Sequence, residues 1–286
     1  MSIPVFRTPE EMQAYSNTQR EARRTIGFVP TMGALHEGHL SLIRKSVAEN
    51  DFTIVSIFVN PLQFDDPKDF THYPQHFDSD VQAAAVAGAD AIYAPTASVM
   101  YPEGFSTFVD MTGITEYLEG SAREAHFRGV CTVVAKLFHA VLPDRAYFGK
   151  KDAQQLAVVR KMVIELNFPI DIRGVNTIRE PDGLAMSSRN ARLTDEQRRA
   201  ARCLYLALTR AEALFKGGET DTSRLIEAMR EVIDAEPLAR SDYIEIVDLY
   251  SFESIKTITS GALAALAVYI GDVRLIDNMT LRSEPF

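Results

Sequence analysis

The chain has 286 residues, of which 46% are hydrophobic and 24% are charged, a composition typical of a soluble globular protein with one large or two ordinary domains. The formal net charge of −9 argues against a nucleic-acid partner, and no apolar run approaches the length of a membrane span. The N-terminal residues lack a signal-peptide pattern, and two distant cysteines, Cys131 and Cys203, suggest neither a disulfide framework nor a metal motif. We therefore expect a cytoplasmic protein.

The first 176 residues alternate short apolar strands with helical patterns. The predicted strands span residues 25–29, 52–59, 89–94, 145–148 and 170–175. A first helix is predicted to begin near residue 38, and further helices span residues 78–87, 130–141 and 152–167. Repeated β–α units imply an α/β fold with a doubly wound, Rossmann-like parallel sheet, which binds ligands at the carboxyl ends of its strands.

The pattern changes after about Asn176. Within residues 177–286, two helical segments at 194–215 and 222–233 precede predicted strands at 243–247, 263–270 and 275–279. Helices followed by adjacent strands indicate a smaller α+β domain. We expect this C-terminal domain to act as a lid, because a loop at a domain boundary can close over a bound ligand.

Residues 30–40, with the sequence PTMGALHEGHL, form the most informative segment. It joins a predicted strand to a predicted helix through a glycine-containing turn, where α/β proteins bind phosphate with backbone N–H groups and the helix dipole. His36 and His39 share one face of the first helical turn, and two imidazoles there suit hydrogen bonding to a triphosphate. The alternative is a surface turn with two solvated histidines, but the paired spacing favours the phosphate site.

Two further polar segments follow predicted strands. Asn60 and Gln63 follow the second strand, and their amides suit a hydroxyl or a carboxylate, although an ordinary Asn-Pro turn is the alternative. Lys151, Asp152 and Gln155 follow the fourth strand, where a lysine can reach a phosphate as a mobile point charge. Solvent-facing charges at a helix start are the alternative there.

Weaker segments lie elsewhere. The hydroxyls and guanidinium of residues 187–189 suit phosphate oxygens, although a serine-rich linker is the alternative. Residues 118–127 are predicted to be a polar loop in which Arg123 is available for a carboxylate or phosphate and His126 is a packed, structural histidine. An acidic stretch is usually a solvated face, but one of its members could hold Mg²⁺ through water. Its members are Asp65, Asp66, Asp69, Asp78 and Asp80.

The HEGH motif at residues 36–39 and the MSSR motif at residues 186–189 resemble the two signatures of the nucleotidyl-transferring superfamily that includes class I aminoacyl-tRNA synthetases. With the segments at residues 58–64 and 148–155, in this order and spacing, the chain resembles the pantothenate synthetase (pantoate–β-alanine ligase) family nearly from end to end. The resemblance implies that pantoate and Mg·ATP form pantoyl adenylate and pyrophosphate, and that β-alanine then displaces AMP to give pantothenate. It also implies a homodimer.

The resemblance implies roles residue by residue. His39 would be the proton donor, His36 would stabilise the phosphates, and Lys151 would contact phosphate groups, which makes these three the implied catalytic set. The implied ATP-binding residues are Met32, Gly33, Ala34, Leu35, His36, Glu37, Gly38, His39, Gly149, Lys150, Lys151, Asp152, Ile178, Met186, Ser187, Ser188 and Arg189. The implied pantoate-binding residues are Gln63 and Gln155, with Asn60, Glu119 and Arg123 as further candidates.

Two residues depart from the family's usual pattern: Lys150 stands where glutamate is usual, and Gln75 where arginine is usual. Neither departure removes a residue assigned to the chemistry, so both bear on rate and affinity. The competing hypotheses are a nucleotidyltransferase with a stable nucleotide-linked product, a tRNA-charging synthetase and a non-catalytic nucleotide sensor. The acidic charge disfavours the second, and the presence of every assigned phosphate-binding side chain disfavours the third.

Overall fold

The computed structural model describes residues 3–65, 70–71 and 73–282. The chain divides into two compact units, each with a hydrophobic core. The N-terminal unit comprises Met1–Thr115, Glu119–Lys150 and Gln155–Asn176. The C-terminal unit comprises Glu116–Leu118, Lys151–Gln154 and Thr177–Phe286. Two short segments that precede residue 177 therefore group with the C-terminal unit, and Lys151 is in one of them.

The N-terminal unit is built on a six-stranded parallel sheet, which confirms the predicted α/β fold. The strands are β1 Val5–Phe6, β2 Ile26–Thr31, β3 Phe52–Ile57, β4 Ala91–Tyr93, β5 Arg145–Gly149 and β6 Asp171–Val175. The helices in this part of the chain are α1 Pro9–Glu21, α2 Glu37–Glu49, α3 Phe77–Val86, α4 Ala97–Met100, α5 Leu118–Ala122, α6 His126–Val141 and α7 Ala153–Glu165.

The strand order β1-β4-β3-β2-β5-β6 creates a switch point beside β2. From β2 the chain runs outward through β3 and β4, and it later returns to place β5 on the other side of β2. In open parallel sheets, ligands bind at the carboxyl ends of the strands where the order reverses. The sheet therefore favours a binding site at the loops that follow β2 and β5.

Strand β2 extends further than predicted. We expected it to stop before Pro30, but it continues to Thr31, and Pro30 pairs in register with Ser56 of β3. The pairing between β2 and β5 involves Gly27 and Phe28 and ends before Pro30. Proline, which has no backbone N–H, is tolerated where one side of a strand needs no ladder hydrogen bond.

Three helices were not predicted, namely α1, α4 and α5. Helix α5 lies in the segment expected to be a polar loop, and its five residues are too few to show an apolar periodicity. Glycine permits its close packing, because a Cβ atom at Gly120 would lie 1.8 Å from the carbonyl oxygen of Thr115. Helix α1 begins with a capping box of Thr8 and Glu11, a signal that is present in the sequence.

The C-terminal unit is an α+β structure, as predicted. Its helices are α8 Asp195–Ala200, α9 Arg202–Lys216 and α10 Thr222–Asp234, so the helix predicted at residues 194–215 is interrupted at Ala201. Its antiparallel strands are β7 Ala239–Asp248, β8 Ala262–Ile270 and β9 Val273–Leu281, with β8 in the centre. Central β8 is buried along almost its whole length. Among the residues that the structure describes, no helix combines the length and the apolar character needed to cross a membrane.

Candidate active site

The loop after β2 is held by one buried carboxylate. Asp80 of α3 is 4% exposed, and its two oxygens accept the backbone N–H groups of Ala34 and Leu35, each at 2.8 Å. Ala34 has a left-handed backbone (φ +50°), which is strained for a residue with a Cβ. Gly33 also has a positive φ (+84°), and a Cβ there would lie 2.9 Å from Asp80 Oδ2. The two hydrogen bonds that Asp80 accepts therefore fix a loop conformation that local preferences do not favour.

This position of Asp80 changes the interpretation of the acidic stretch. Its carboxylate is not part of a solvated face, because it is buried and each of its oxygens accepts a backbone N–H group. Asp78 of the same helix is exposed, as expected for a solvated face. Asp66 and Asp69 lie outside the described residues. Within residues 3–65, 70–71 and 73–282, no group of three or more His, Cys, Asp or Glu side chains could hold a metal ion.

His36 and His39 cap the start of α2 with their side chains. His36 Nδ1 accepts the N–H of Gly38 at 3.2 Å, and His39 Nδ1 accepts the N–H of His36 at 3.4 Å. The two ring centroids are 4.1 Å apart with an angle of 39° between the planes. An imidazole that accepts at Nδ1 carries its proton on Nε2 when neutral, so each ring keeps an Nε2–H donor. The helix start therefore combines two imidazole donors with the positive end of the helix dipole.

Gln63 lies in a 3₁₀ turn, Pro61–Gln63, after β3, and Asn60 orients its side chain. Asn60 is 1% exposed, and its Nδ2 donates to Gln63 Oε1 and to the carbonyl oxygen of Gly129, both at 3.1 Å. Asn60 Oδ1 accepts from Leu62 N at 3.3 Å and from the Tyr101 hydroxyl at 2.7 Å. The four hydrogen-bonding positions of this amide are thus all used within the protein. Asn60 is placed to orient Gln63.

The backbone of Gln63 is held as firmly as its side chain. Its carbonyl oxygen accepts from Arg123 Nη2 at 2.8 Å and from His126 Nδ1 at 3.0 Å. Arg123 also donates to Asp65 at 3.1 Å and lies 3.8 Å from Glu119, which is itself buried. Burial, and then the charge of Arg123, lower the pKa of His126 to about 4, so this imidazole is neutral near neutral pH. The buried position of His126 agrees with a packed, structural histidine.

In the C-terminal unit, Lys151 lines a small cavity of mixed polar and apolar character together with Ser187 and Arg189. Ser187 Oγ accepts the N–H of Arg189 at 3.2 Å and so starts the 3₁₀ turn Ser188–Arg192. The other lining residues are Leu184, Ala185, Asn190, Leu204, Arg274, Leu275, Ile276 and Asp277. Three of the predicted phosphate-binding side chains are thus brought together within this unit.

A short hairpin leads into the Ser187 turn. Arg179 and Ala185 form an antiparallel bridge, and Met186 N donates to the carbonyl oxygen of Ile178 at 3.0 Å. Asn190 Nδ2 closes the hairpin by donating to the carbonyl oxygen of Ala185 at 3.1 Å. Ile178 and Met186, which were both predicted to contact ATP, are therefore direct neighbours.

The remaining predicted residues lie at the ends of elements. Gly149 ends β5, and the following Lys150 donates from Nζ to Asn176 Oδ1 at 2.8 Å in an exposed position. Glu37 forms an exposed ion pair with Arg44. Gln155 lies in the first turn of α7 and groups with the N-terminal unit. Asp152 lies next to Lys151, with its carboxylate 3.8 Å from Lys151 Nζ.

The sequence did not connect Asp80 with the loop after β2 or Tyr101 with Asn60 and Gln63. Asp80 is 46 positions from Ala34, and Tyr101 is 41 positions from Asn60. No local pattern relates residues at such separations, since the sheet topology brings them together. Asp80 at the start of a helix was visible as an acidic residue, but its partners were not.

Comparisons with known proteins identify the family of this chain. The family model described as pantoate–beta-alanine ligase matches residues 4–280. The pantothenate synthetase of Heliobacterium modesticaldum is 54% identical over 271 residues, which are 95% of this chain and 96% of that protein.

Two solved structures are also similar to this chain. The pantothenate synthetase of Thermus thermophilus superposes with a TM-score of 0.92 at 42% identity, covering 98% of this chain and all of that one. The pantoate–beta-alanine ligase of Francisella tularensis, complexed with beta-gamma ATP and beta-alanine, has a TM-score of 0.80 at 33% identity, with 99% and 100% coverage. The chain therefore belongs to the pantoate–β-alanine ligase family.

Proposed function

We propose that this chain joins pantoate to β-alanine in two steps, through a pantoyl adenylate. Family membership establishes an ATP-dependent ligase that forms pantothenate, which decides against the nucleotidyltransferase, tRNA-charging and sensor hypotheses. The observation that carries the two-step proposal is the start of α2, where His36 and His39 use Nδ1 for capping and keep Nε2–H as a donor. Such donors suit an oxygen on which negative charge accumulates.

In the first step, a carboxylate oxygen of pantoate attacks the α-phosphorus of ATP. A phosphorus–oxygen bond forms, the bond between the α-phosphorus and the bridging oxygen breaks, and pyrophosphate leaves with the electron pair. His36 and His39 donate hydrogen bonds to the phosphoryl oxygens, with His39 as the proton donor. Lys151, Ser187 and Arg189, which share one cavity, stabilise the charge on the leaving pyrophosphate.

Gln63 and Gln155 bind pantoate through their amides. The structure supports a different role for Asn60 and Arg123, two of the other candidates. Asn60 has its amide fully engaged within the protein, and Arg123 donates to the carbonyl oxygen of Gln63. We infer that Asn60 and Arg123 position Gln63 and do not themselves contact pantoate.

In the second step, the amine of β-alanine attacks the acyl carbon, the carbon–oxygen bond to AMP breaks, and the amine loses a proton. The structure of the F. tularensis ligase in complex with beta-gamma ATP and beta-alanine supports this pair of molecules as substrates. Because an acyl adenylate hydrolyses in open water, water must be excluded while the amine reacts. We propose that the C-terminal unit acts as the lid that does this.

The metal ion is proposed to arrive with the nucleotide. Mg²⁺ usually takes one or two protein carboxylates and fills its other positions with phosphate oxygens and water, so no dedicated cluster is needed. When bound, it neutralises phosphate charge. The described residues fit this arrangement, because they include no group of three or more His, Cys, Asp or Glu side chains that could hold a metal ion, so the protein would supply one or two carboxylates at most.

We also propose a cytoplasmic homodimer with small-molecule substrates and neither a nucleic-acid nor a membrane partner. The net charge of −9 disfavours nucleic acid. Both cysteines are buried free thiols, and burial raises the pKa of each to about 12, so they are unreactive. Two-fold dimers are the commonest soluble assemblies. Analytical ultracentrifugation of the purified chain tests the dimer.

Pantoate-dependent exchange of labelled pyrophosphate into ATP tests the adenylate step. With Mg²⁺ present and β-alanine absent, we expect label to enter ATP, and omission of pantoate should abolish the exchange. An absence of exchange in folded protein that still binds ATP would reject the pantoyl-adenylate route.

A further inference from the structure

Two adjacent residues of β9, Asp277 and Asn278, contact the two phosphate-binding segments of the C-terminal unit. Asp277 forms a bidentate ion pair with Arg179, at 2.6 and 3.0 Å. Asn278 donates from Nδ2 to the backbone carbonyl oxygen of Lys151 at 2.6 Å. Because successive residues of a strand point to opposite sides, neighbouring positions can hold two different segments at once.

The Asp277 contact anchors the hairpin that precedes Ser187. The Asp277 side chain is 1% exposed, and a buried charge needs compensation. Arg179 provides the opposite charge, and the backbone N–H of Asn278 donates to Asp277 Oδ1 at 2.8 Å. Arg179 also donates to the carbonyl oxygen of Gly183 at 3.1 Å and lies over the ring of Tyr205, 4.6 Å from its centroid. A buried ion pair with these additional contacts fixes the orientation of the hairpin against the strand.

The Asn278 contact anchors Lys151 from its main chain. Lysine carries its charge at the end of a flexible four-carbon stem, so the position of its backbone sets the region that Nζ can reach. The Lys151 side chain is 17% exposed and lines the same cavity as Arg189 and Asp277. The distance between the charged groups of Lys151 and Arg189 therefore depends on two adjacent residues of β9.

We propose that Asp277 and Asn278 are positioning residues that set the spacing between Lys151 and the Ser187–Arg189 turn to match the pyrophosphate part of ATP. This inference rests on the proposed phosphate-binding role of Lys151. A fixed spacing lets the cations stabilise the leaving group without reorganisation as charge develops. Neither residue contacts the substrate in this role.

A double-mutant cycle in the full-length chain tests the proposal. Lys151→Ala should reduce kcat for pyrophosphate exchange by ~10²-fold, and Asn278→Ala by about tenfold, since a misplaced charge loses much of its effect. In the Lys151→Ala background, Asn278→Ala should reduce kcat by less than about twofold, because Asn278 acts on the reaction only through Lys151. Thr280→Ala, an exposed position two residues further along the same side of β9, is the matched control and should leave exchange unchanged.

The outcomes separate the inference from the function on which it rests. No loss in Lys151→Ala would remove the phosphate-binding role of Lys151 itself. An equal loss from Asn278→Ala in both backgrounds, or no loss in either, would overturn the positioning role. Asn278→Asp keeps the side-chain size but replaces the donating group with an acceptor, so it should lose at least as much activity as Asn278→Ala. Full activity in that variant would also overturn the proposal.

Discussion

The two units fix their proposed phosphate-binding side chains in different ways. In the N-terminal unit, His36 and His39 are held by N–H groups that lie within three positions of them. In the C-terminal unit, Lys151 is held by a residue 127 positions away. Local capping creates the first arrangement as soon as a helix starts, whereas the second exists only when the whole α+β unit has folded. The imidazole pair is therefore readable from sequence, and the cation spacing is not.

The largest loss of activity is expected from substitutions at the start of α2, where local hydrogen bonds hold His36 and His39. His39→Ala should reduce pyrophosphate exchange by ~10²–10³-fold, because a hydrogen-bond donor to the transition state is lost. His39→Asn retains a side-chain acceptor that can reach the N–H of His36 but lacks the imidazole donor. It should be similarly inactive with nearly unchanged thermal unfolding, and wild-type exchange in either variant would remove His39 from the chemistry.

Acid should destabilise the N-terminal unit through His126. Its folded pKa of about 4 lies below the unfolded value near 6.5, so between these pH values the unfolded chain binds a proton that the folded chain does not. The free energy of unfolding should therefore fall by up to about 3 kcal/mol as the pH drops through this window, and urea titrations across the window measure it. His126→Gln should flatten the dependence, whereas replacement of the exposed His76 by glutamine should not. An unchanged slope in His126→Gln would contradict the assignment.

A smaller loss of activity is expected from substitution of Asp80, which supports the loop after β2 from a distant position in the sequence. Asp80→Asn keeps an oxygen for one backbone N–H but places an amide NH₂ against the other, so kcat/KM for ATP should fall about tenfold. Asp78→Asn, at an exposed position of the same helix, is the matched control. If the two variants behave alike in steady-state kinetics, the buried carboxylate does not support the loop.

Replacement of either glutamine should weaken the binding of pantoate and leave the binding of ATP nearly unchanged. Gln155→Ala and Gln63→Ala should each raise KM for pantoate by about tenfold, because each loses an amide hydrogen bond, while KM for ATP changes less than about twofold. Initial rates with each substrate varied in turn measure both constants. Equal losses for pantoate and ATP would reject the proposed role of the glutamine concerned.

Local signals explain what the sequence predicted well. The alternation of β and α segments led to the doubly wound sheet, and the turn between β2 and α2 led to the placement of His36 and His39 at a helix start. The end of β2 was mispredicted because Pro30 was treated as a strand breaker, while its tolerance depends on where the pairing with β5 ends. Helix α5 was missed because it is too short for periodicity.

Long-range contacts explain what the sequence could not predict. The roles of Asp80, Tyr101 and Asn278 depend on partners that are 41 to 127 positions away. Arg123 was selected as a candidate for a carboxylate or phosphate, but its partner in the structure, the carbonyl oxygen of Gln63, is a main-chain atom that no motif identifies. Side-chain chemistry can be read from a motif, whereas the groups that orient it are set by tertiary structure.

The most direct test of the pantoyl-adenylate route follows the carboxylate oxygens of pantoate. With pantoate labelled by ¹⁸O in its carboxylate, attack on the α-phosphorus followed by aminolysis leaves one labelled oxygen on AMP, which mass spectrometry detects. We expect AMP that carries one ¹⁸O atom for each pantothenate formed. Unlabelled AMP, or label released in inorganic phosphate, would contradict it.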